Sequence, residues 1–213
     1  MFVRNSMSTK IVAIEPDRSV PDAQGLLTLH SIKHLPVVEK GKLVGVLSRV
    51  DVAKASPSTA STFDVGELNY LLNKIKVRDI MTKKPVTATP HMLLEEAATL
   101  MRARHVSFLP VVEGDRLVGV ITESNIFDAF IEILGFTDKG TRLTVEVEDS
   151  GPGILCEVAG VFAKCGVSIR SNALYHLPGN RAAMVFGTEL TDTADLEEAL
   201  REAGYPVYWK LKI

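Results

Sequence analysis

The chain has little of several things that would announce a chemistry. Its 213 residues include two cysteines, Cys156 and Cys165, and one tryptophan. Nine residues apart on a helix, the two thiols would point to opposite sides, so they form neither a local bridge nor a metal pair. Reduced cytosolic thiols are the simplest reading. No apolar run approaches the ~20 residues of a membrane span. The first residues, with Arg4, Asn5 and Lys10 scattered among them, lack a signal-peptide core. A cytoplasmic protein without a membrane partner is therefore expected. Charge of one sign is also missing: Lys and Arg number 24 against 26 Asp and Glu, for a formal net charge of -2. That balance offers no electrostatic reason to expect a nucleic acid or an anionic surface as partner. Catalytic signatures are missing as well. There is no phosphate-cradling G-x-x-x-x-G-K-S/T loop and no H-E-x-x-H, and His30, His34, His91, His105 and His176 lack metal-ligand spacing. With no nucleophile–base pair in view, the chain does not read as an enzyme, and neither a metal nor a required cofactor is expected.

What is present is a stretch that occurs twice. Leu35-Pro36-Val37-Val38-Glu39 leads through Leu43-Val44-Gly45-Val46 to Ser48 and Asp51. At a constant offset of 74 residues come Leu109-Pro110-Val111-Val112-Glu113, Leu117-Val118-Gly119-Val120, Thr122 and Asn125. The same offset carries Val3-Arg4 onto Val77-Arg78, Met7 onto Met81, Val12 onto Val86 and Pro16 onto Pro90. Two copies are too few for a solenoid array, so the economical reading is two small modules packed on one another with a cleft between them.

Each copy reads as strand, helix, strand, strand, helix. In the first, Lys10 to Ile14 is a strand stopped by Pro16, and Ser19 caps a helix carrying Ala23, Leu26 and Leu27. Leu35 to Val38 and Leu43 to Leu47 form a hairpin around Lys40-Gly41, and Ser48 caps a closing helix. Ser56-Pro57-Ser58 opens a polar linker, after which Leu68, Leu71, Leu72 and Ile75 recur at helical spacing and predict a docked connecting helix. Val77 to Met81 opens the second copy. Val86 to Ala88 is its first strand and Gly114-Asp115 its hairpin turn. The helix from Thr122 carries Ile126, Phe127, Phe130 and Leu134 on one face and ends at Gly135.

From Thr141 the pattern changes. Leu143, Val145 and Val147 alternate with polar residues, as in a half-buried strand. Pro152 suits a first helical position before Leu155, Val158, Val161, Phe162 and Cys165. Val167 to His176 and Ala182 to Leu190 are strands around a turn at Pro178-Gly179-Asn180. Asp192 or Thr193 caps a helix ended by Gly204, and Val207 to Ile213 is a last strand. Strand-helix-strand-strand-helix-strand is the ferredoxin-like split βαβ order.

The duplicated L-P-V-V and L-V-G-V strands, the Val77 to Met81 entry and the Ser48/Asp51 and Thr122/Asn125 pairs resemble a tandem CBS-domain pair, a Bateman module. Pro152-Gly153-Ile154-Leu155 and Gly166-Val167-Ser168-Ile169 resemble an ACT domain. A CBS pair followed by ACT, with a linker running to Glu67-Leu68-Asn69-Tyr70-Leu71-Leu72, resembles the acetoin-utilisation B-type family. The implied fold is α+β: a first CBS copy over 1–53, linker and connecting helix over 54–76, a second copy over 77–136, and a βαββαβ ACT domain over 141–213.

The resemblance implies a regulatory protein whose cleft holds an adenine nucleotide such as AMP, ADP or ATP, or S-adenosylmethionine. Ser/Thr-x-x-Asp orients ribose and phosphate in that family. Ser48-Arg49-Val50-Asp51 matches it, whereas Thr122-Glu123-Ser124-Asn125 loses the carboxylate's charge. Lys33-His34 and Ser107-Phe108 precede the L-P-V-V strands, where the family faces phosphates. One charged half-site on Asp51, Lys33 and His34 is thus expected, and one weaker one. Adenine recognition through backbone points to Ala13, Ile14, Thr87, Ala88 and Thr89. The bland alternatives are that Ser48 and Thr122 are helix caps and that Lys33 and His34 are solvated surface groups. For the ACT domain the family implies an amino-acid site at Ser150, Gly151, Gly153, Ser168 and Asn172, with Tyr175 on the same strand, or an empty domain used for dimerisation. Both modules imply a homodimer. The alternative is a ligand-free scaffold that docks on and regulates a partner enzyme in acetoin or related metabolism.

Overall fold

A computed structural model describes residues 1–55, 65–147, 151–179 and 181–213. The expected linker from Ser56, and Ser150 and Asn180, lie outside the described residues. The chain divides into two compact units, Met1–Ile126 and Phe127–Ile213.

The first unit holds α1 (Val3–Ser6), α2 (Val20–Leu29), β1 (His34–Glu39), β2 (Lys42–Ser48), α3 (Arg49–Ala55), α4 (Val65–Lys74), α5 (Val77–Ile80), β3 (Thr82–Lys83), α6 (Leu94–Arg104), β4 (Phe108–Glu113), β5 (Arg116–Thr122) and the start of α7 (Glu123–Ile133). Ser19 caps α2: its hydroxyl accepts from the Asp22 N–H at 3.3 Å, and the Asp22 carboxylate accepts from the Ser19 N–H at 3.2 Å. Val20, Ala23 and Leu27 then face inward together. Lys40 and Gly41 turn the first hairpin with φ of 50° and 81°, the left-handed pair that matches strand twist. The two hairpins share one register: His34 pairs Ser48 and Phe108 pairs Thr122, with an irregularity at Val37/Val38 and again at Val111/Val112. Strand order is β1-β2-β5-β4, with β3 on β2.

Two expected strands shrink to single bridges. Ile14 pairs Val37 and Ala88 pairs Val111, both parallel. The Ile14 N–H donates to Pro36 O at 3.0 Å and its carbonyl accepts from Val38 N–H at 2.9 Å. The next donors in each direction would be Pro16 and Pro36, which have no N–H, so the ladder stops on both sides. Ala88, between Pro90 and Pro110, repeats this at 2.9 Å in both bonds.

The entry segments are exchanged. Val3 N–H donates to Met92 O, Arg4 N–H to Pro90 O, and Ser8 pairs Val120, so the first copy's entry lies on the second copy. Reciprocally, Val77 N–H donates to Arg18 O and Arg78 N–H to Pro16 O, while Thr82-Lys83 pair Val46 and Gly45. Val77, which the sequence order assigns to the second copy, is wholly buried in the core of the first with Leu27, Leu35 and Leu47. The glycines of L-V-G-V explain how the exchange fits. A Cβ on Gly45 would lie 2.6 Å from Met81 Sδ and 3.0 Å from Thr82 O; one on Gly119 would lie 2.6 Å from Met7 Sδ and 3.3 Å from Ser8 O. The connecting helix α4 packs Leu72 onto the first copy's core, as does Ile75 just after it, whereas Leu71 is exposed. Phe127 is also exposed rather than inward, since neighbours on a helix lie about 100° apart and Ile126 takes the buried face.

In the second unit α7 stops at Ile133, and Gly135 just beyond it, with φ of 64°, lets the Phe136 N–H reach back to Ile131 O at 3.1 Å. Arg142 donates to Leu134 O at 2.9 Å, tying the end of α7 to the sheet. Its elements are β6 (Thr141–Val147), α8 (Ile154–Lys164), β7 (Ser171–Leu177), β8 (Arg181–Thr188), α9 (Ala194–Glu202) and β9 (Val207–Lys212). The order β7-β8-β6-β9 is antiparallel throughout. Leu143, Val145, Phe162, Met184, Phe186, Leu196 and Leu200 form one core. Three details differ from expectation. Pro152 precedes the N-cap, Gly153, instead of opening the helix. Cys165 is the exposed C-cap, not part of the apolar face. The segment from Val167 enters the sheet only at Ser171.

Candidate functional site

A cavity of about 430 Å³ opens within the first unit. Its walls come from four segments: Ser8, Lys10 and Val12; Ser31 to His34 and Pro36; Ser107 and Phe108; and Val120 with Thr122 to Asn125. That is first-copy chain on one side and second-copy chain on the other. The size falls in the ordinary range for small-molecule sites, roughly 300–1,000 Å³.

The backbone sets the side chains in place. His34 and Phe108 each begin the first strand of a hairpin, and their rings stack with centroids 4.9 Å apart and planes 17° from parallel. The Arg49 N–H donates to Lys33 O at 2.9 Å and the Glu123 N–H to Ser107 O at 3.2 Å, so each pre-strand loop is tied to the helix start of its own copy. Thr122 and Asn125 form a closed cap. The Asn125 side-chain oxygen accepts from the Thr122 N–H at 3.0 Å and hydroxyl at 2.8 Å, and the Thr122 hydroxyl accepts from the Asn125 N–H at 3.3 Å. The Asn125 amide NH2 is left as a donor.

Charge in the lining is uneven. Lys10 and Lys33 are exposed cations that make no ion pair among the described residues, and Glu123 is the single carboxylate of the lining. Burial pulls the His34 imidazole below the usual histidine range; the Asp51 charge opposes this and Lys33 adds to it. His34 is therefore neutral near pH 7, an aromatic surface with one donor and one acceptor nitrogen.

Of the residues singled out from the sequence, Lys33, His34, Thr122 and Asn125 come together here, joined by Ser107 and Phe108. Lys33 and His34 share the cavity with the second copy's Thr122/Asn125 element, while the Asp51 charge still acts on His34. Ser48 and Asp51 lie outside its lining and close a cap of their own, with Asp51 Oδ2 accepting from the Ser48 N–H at 2.8 Å and hydroxyl at 2.6 Å. Ala13, Ile14, Thr87, Ala88 and Thr89 are not in the lining either. Ile14 and Ala88 are buried, and their main-chain groups are committed to the proline-bounded bridges. The nearby segment that does face the cavity is Ser8, Lys10 and Val12, alternate residues of an extended chain. Sequence reasoning passed over Ser8 and Lys10 because their position depends on the exchange of entry segments.

In the second unit, Gly153 caps α8 with φ of 99°, Ser168 is exposed before β7, and Asn172 donates to Val185 O at 3.4 Å within the sheet. No hydrogen bond among the described residues joins Gly151, Gly153, Ser168 or Asn172 to another of the four. Among the described residues no three His, Cys, Asp or Glu side chains cluster as a metal site, and no helix is long and apolar enough to cross a membrane.

The family model described as CBS domain matches residues 3–58 and again 77–132. The chain is 30% identical over 142 residues to the CBS domain-containing protein YhcV of Bacillus subtilis, covering 67% of this chain and 92% of that one. It is 33% identical over 136 residues to an inosine-5'-monophosphate dehydrogenase of Korarchaeum cryptofilum, covering 63% of this chain but 25% of the dehydrogenase. Among solved structures, CBSX2 of Arabidopsis thaliana in complex with AMP is 32% identical with a TM-score of 0.52, over 62% of this chain and 97% of that one. The CBS domain pair of MJ0100 in complex with 5'-methylthioadenosine and S-adenosyl-L-methionine is 30% identical with a TM-score of 0.51, over 61% and 99%. A Vibrio cholerae protein assigned to acetoin utilization (AcuB) is 26% identical with a TM-score of 0.54, over 65% and 96%.

Proposed function

The chain belongs to the CBS-domain family, and from that premise we propose that it is a regulatory protein whose cavity between the two CBS copies binds an adenine nucleotide. The observation that carries this is the cavity itself: two lysines with no ion pair among the described residues, a half-buried His34 stacked on the buried Phe108, and the Thr122/Asn125 cap line one space of nucleotide scale. The stack offers an aromatic surface for a base, and the lysines offer charge for phosphate. AMP in CBSX2, and 5'-methylthioadenosine and S-adenosyl-L-methionine in the MJ0100 pair, support an adenosine-bearing ligand. The dehydrogenase match spans a quarter of that enzyme, and its activity is no part of this reading.

Binding changes the balance between module arrangements only by the ligand's preference for one of them, about 1–3 kcal/mol in typical cases. We read the second unit as an ACT domain, supported by its strand order and by Gly153 at the entry to α8. It would serve dimerisation or take a second small molecule, with Gly151, Gly153, Ser168 and Asn172 as the residues to examine. The layout and the AcuB likeness support an acetoin-utilisation B-type assignment. A second reading is a ligand-free scaffold for a partner enzyme; the self-closed Ser48/Asp51 cap favours it, because the cap explains both residues without a ligand.

Titration calorimetry on the full chain with AMP, ADP, ATP, NAD and S-adenosylmethionine separates the two. Saturable binding, accompanied by a rise in melting temperature, is expected for at least one adenine nucleotide. No heat from any of them at millimolar concentration would overturn the sensor and leave the scaffold.

A further inference from the structure

The exchange of entry segments is built twice on one plan. Val3 N–H donates to Met92 O at 2.8 Å and Arg4 N–H to Pro90 O at 3.0 Å; in the other copy Val77 N–H donates to Arg18 O at 2.9 Å and Arg78 N–H to Pro16 O at 3.0 Å. In each, the arginine side chain then meets the residue after that proline. Arg78 forms an ion pair with Asp17. Arg4 meets His91 instead, its Nη1 lying 3.3 Å from the imidazole Nδ1. Phe2 completes this second corner. Arg4 sits over its ring at 5.1 Å, and the ring stands edge-on to His91 at 6.5 Å.

The backbone bonds match, but the two side-chain contacts respond differently to acid. A guanidinium can only donate, so Nδ1 must accept, which requires a neutral imidazole with its proton on Nε2. A protonated imidazole offers no lone pair and sets a second positive charge against Arg4. Histidine is the side chain that changes charge between pH 5 and 8, whereas a carboxylate such as Asp17 keeps its charge over that range. The other charged groups on the segments packed at this corner are the Met1 ammonium on the entry segment and Glu95 and Glu96 on α6. Glu95 lies 3.9 Å from the Met1 ammonium, and Glu96 accepts from the Leu93 N–H at 2.9 Å. Neither carboxylate pairs with His91 among the described residues.

We infer that Arg4 and His91 form a pH-sensitive latch, which holds the first entry segment on the second copy while His91 is neutral and loosens it on acidification. The Arg78–Asp17 latch stays closed over the same range. Ser8, on the same entry segment, pairs Val120 and lines the cavity, so the latch lies on a strand that forms a cavity wall.

Native-state hydrogen exchange on the full chain at pH 7.5 and 5.5 tests this, with each amide corrected for its intrinsic exchange rate. The protection of the Val3 and Arg4 amides, divided by that of Val77 and Arg78, should fall about two- to fivefold on acidification, the size expected of an exposed charged contact. The ratio cancels any loss of stability that both segments share, including the loss that His34 causes. His91→Asp, which installs the first copy's residue, should abolish the fall. Asp17→His should give Val77 and Arg78 a fall of their own. Both positions are exposed, and each new residue already stands at the equivalent place in the other copy. A ratio that is equal at the two pH values would overturn the latch. A fall that persists undiminished in His91→Asp, or protection of Val77 and Arg78 that ignores pH in Asp17→His, would overturn it as well.

Discussion

In the first copy, Ser48 and Asp51 close a cap with contacts of 2.8, 2.6 and 3.2 Å; in the second, Thr122 and Asn125 close the same cap at 3.0, 2.8 and 3.3 Å. The backbone cannot tell the two pairs apart, because one oxygen on each side chain meets the same demand. What differs is the atom left over, a charged acceptor in one copy and a neutral donor in the other. The pre-strand position shows the same division. His34 and Phe108 occupy equivalent places and stack on each other, so shape is kept while only one of the rings titrates. The capping pattern is common to both copies, and only the second copy's cap lines the cavity.

The largest effect that would break this comparison is expected at the glycines. Gly45→Ala drives a methyl toward Met81 Sδ and the Thr82 carbonyl, whereas Gly119→Ala meets Met7 and, at greater distance, the Ser8 carbonyl. Overpacking of this kind costs about 1–3 kcal/mol, and Gly45→Ala should lie toward the upper end because a backbone atom cannot swing aside. Urea midpoints of the two variants should rank that way, and adding Met81→Ala should recover only part of the Gly45→Ala loss. Equal losses would mean that the exchanged segments yield equally.

Next in size is the pair of caps. Ser48→Ala and Thr122→Ala should each cost about 1 kcal/mol, and by the same amount within error, because the bonds lost are the same. If Ser48→Ala proved much the more costly, the Asp51 charge would matter to the fold, and the two copies would not be structurally equivalent there.

The smallest expected effect is the pH dependence at His34. Its folded pKa is depressed below the ordinary 6.5, so below that pH the unfolded chain binds the proton first. Stability is then complete above about pH 6.5 and declines as the pH falls toward the folded value. His34→Phe, which makes this position match Phe108, should flatten the fall in melting temperature between pH 7.5 and 5.5. An unchanged slope would show that the imidazole gains no less from water in the folded state than in the unfolded one.

Much of the fold could be read before any coordinates. The repeat at a fixed offset gave both hairpins, their turns and their caps, since local spacing is enough to specify a capping pair or a two-residue turn. The first strands of each copy could not be read correctly, because Pro16, Pro36, Pro90 and Pro110 limit the ladder only once the paired segments are known. Phe127 and Cys165 misled for a related reason: apolar character does not say which side of a helix meets a partner.

The candidate site was half legible. Lys33, His34, Thr122 and Asn125 were named from motif position, and they do line one cavity. That Lys33 and His34 line it together with the second copy's Thr122 and Asn125 was not legible, since this depends on contacts between segments far apart in the chain. Sequence by itself determined the duplicated module, its caps and turns, and the exchange of Asp for Asn at one of two equivalent positions, because these rest on short-range bonding and on identity. Tertiary structure alone decided that Val3 and Val77 lie in each other's module, that Ser8 and Lys10 reach the cavity, and that Asn125 rather than Asp51 faces it. Those are contacts between segments far apart in the chain, and close approach at Gly45 and Gly119, not spacing, is what permits them.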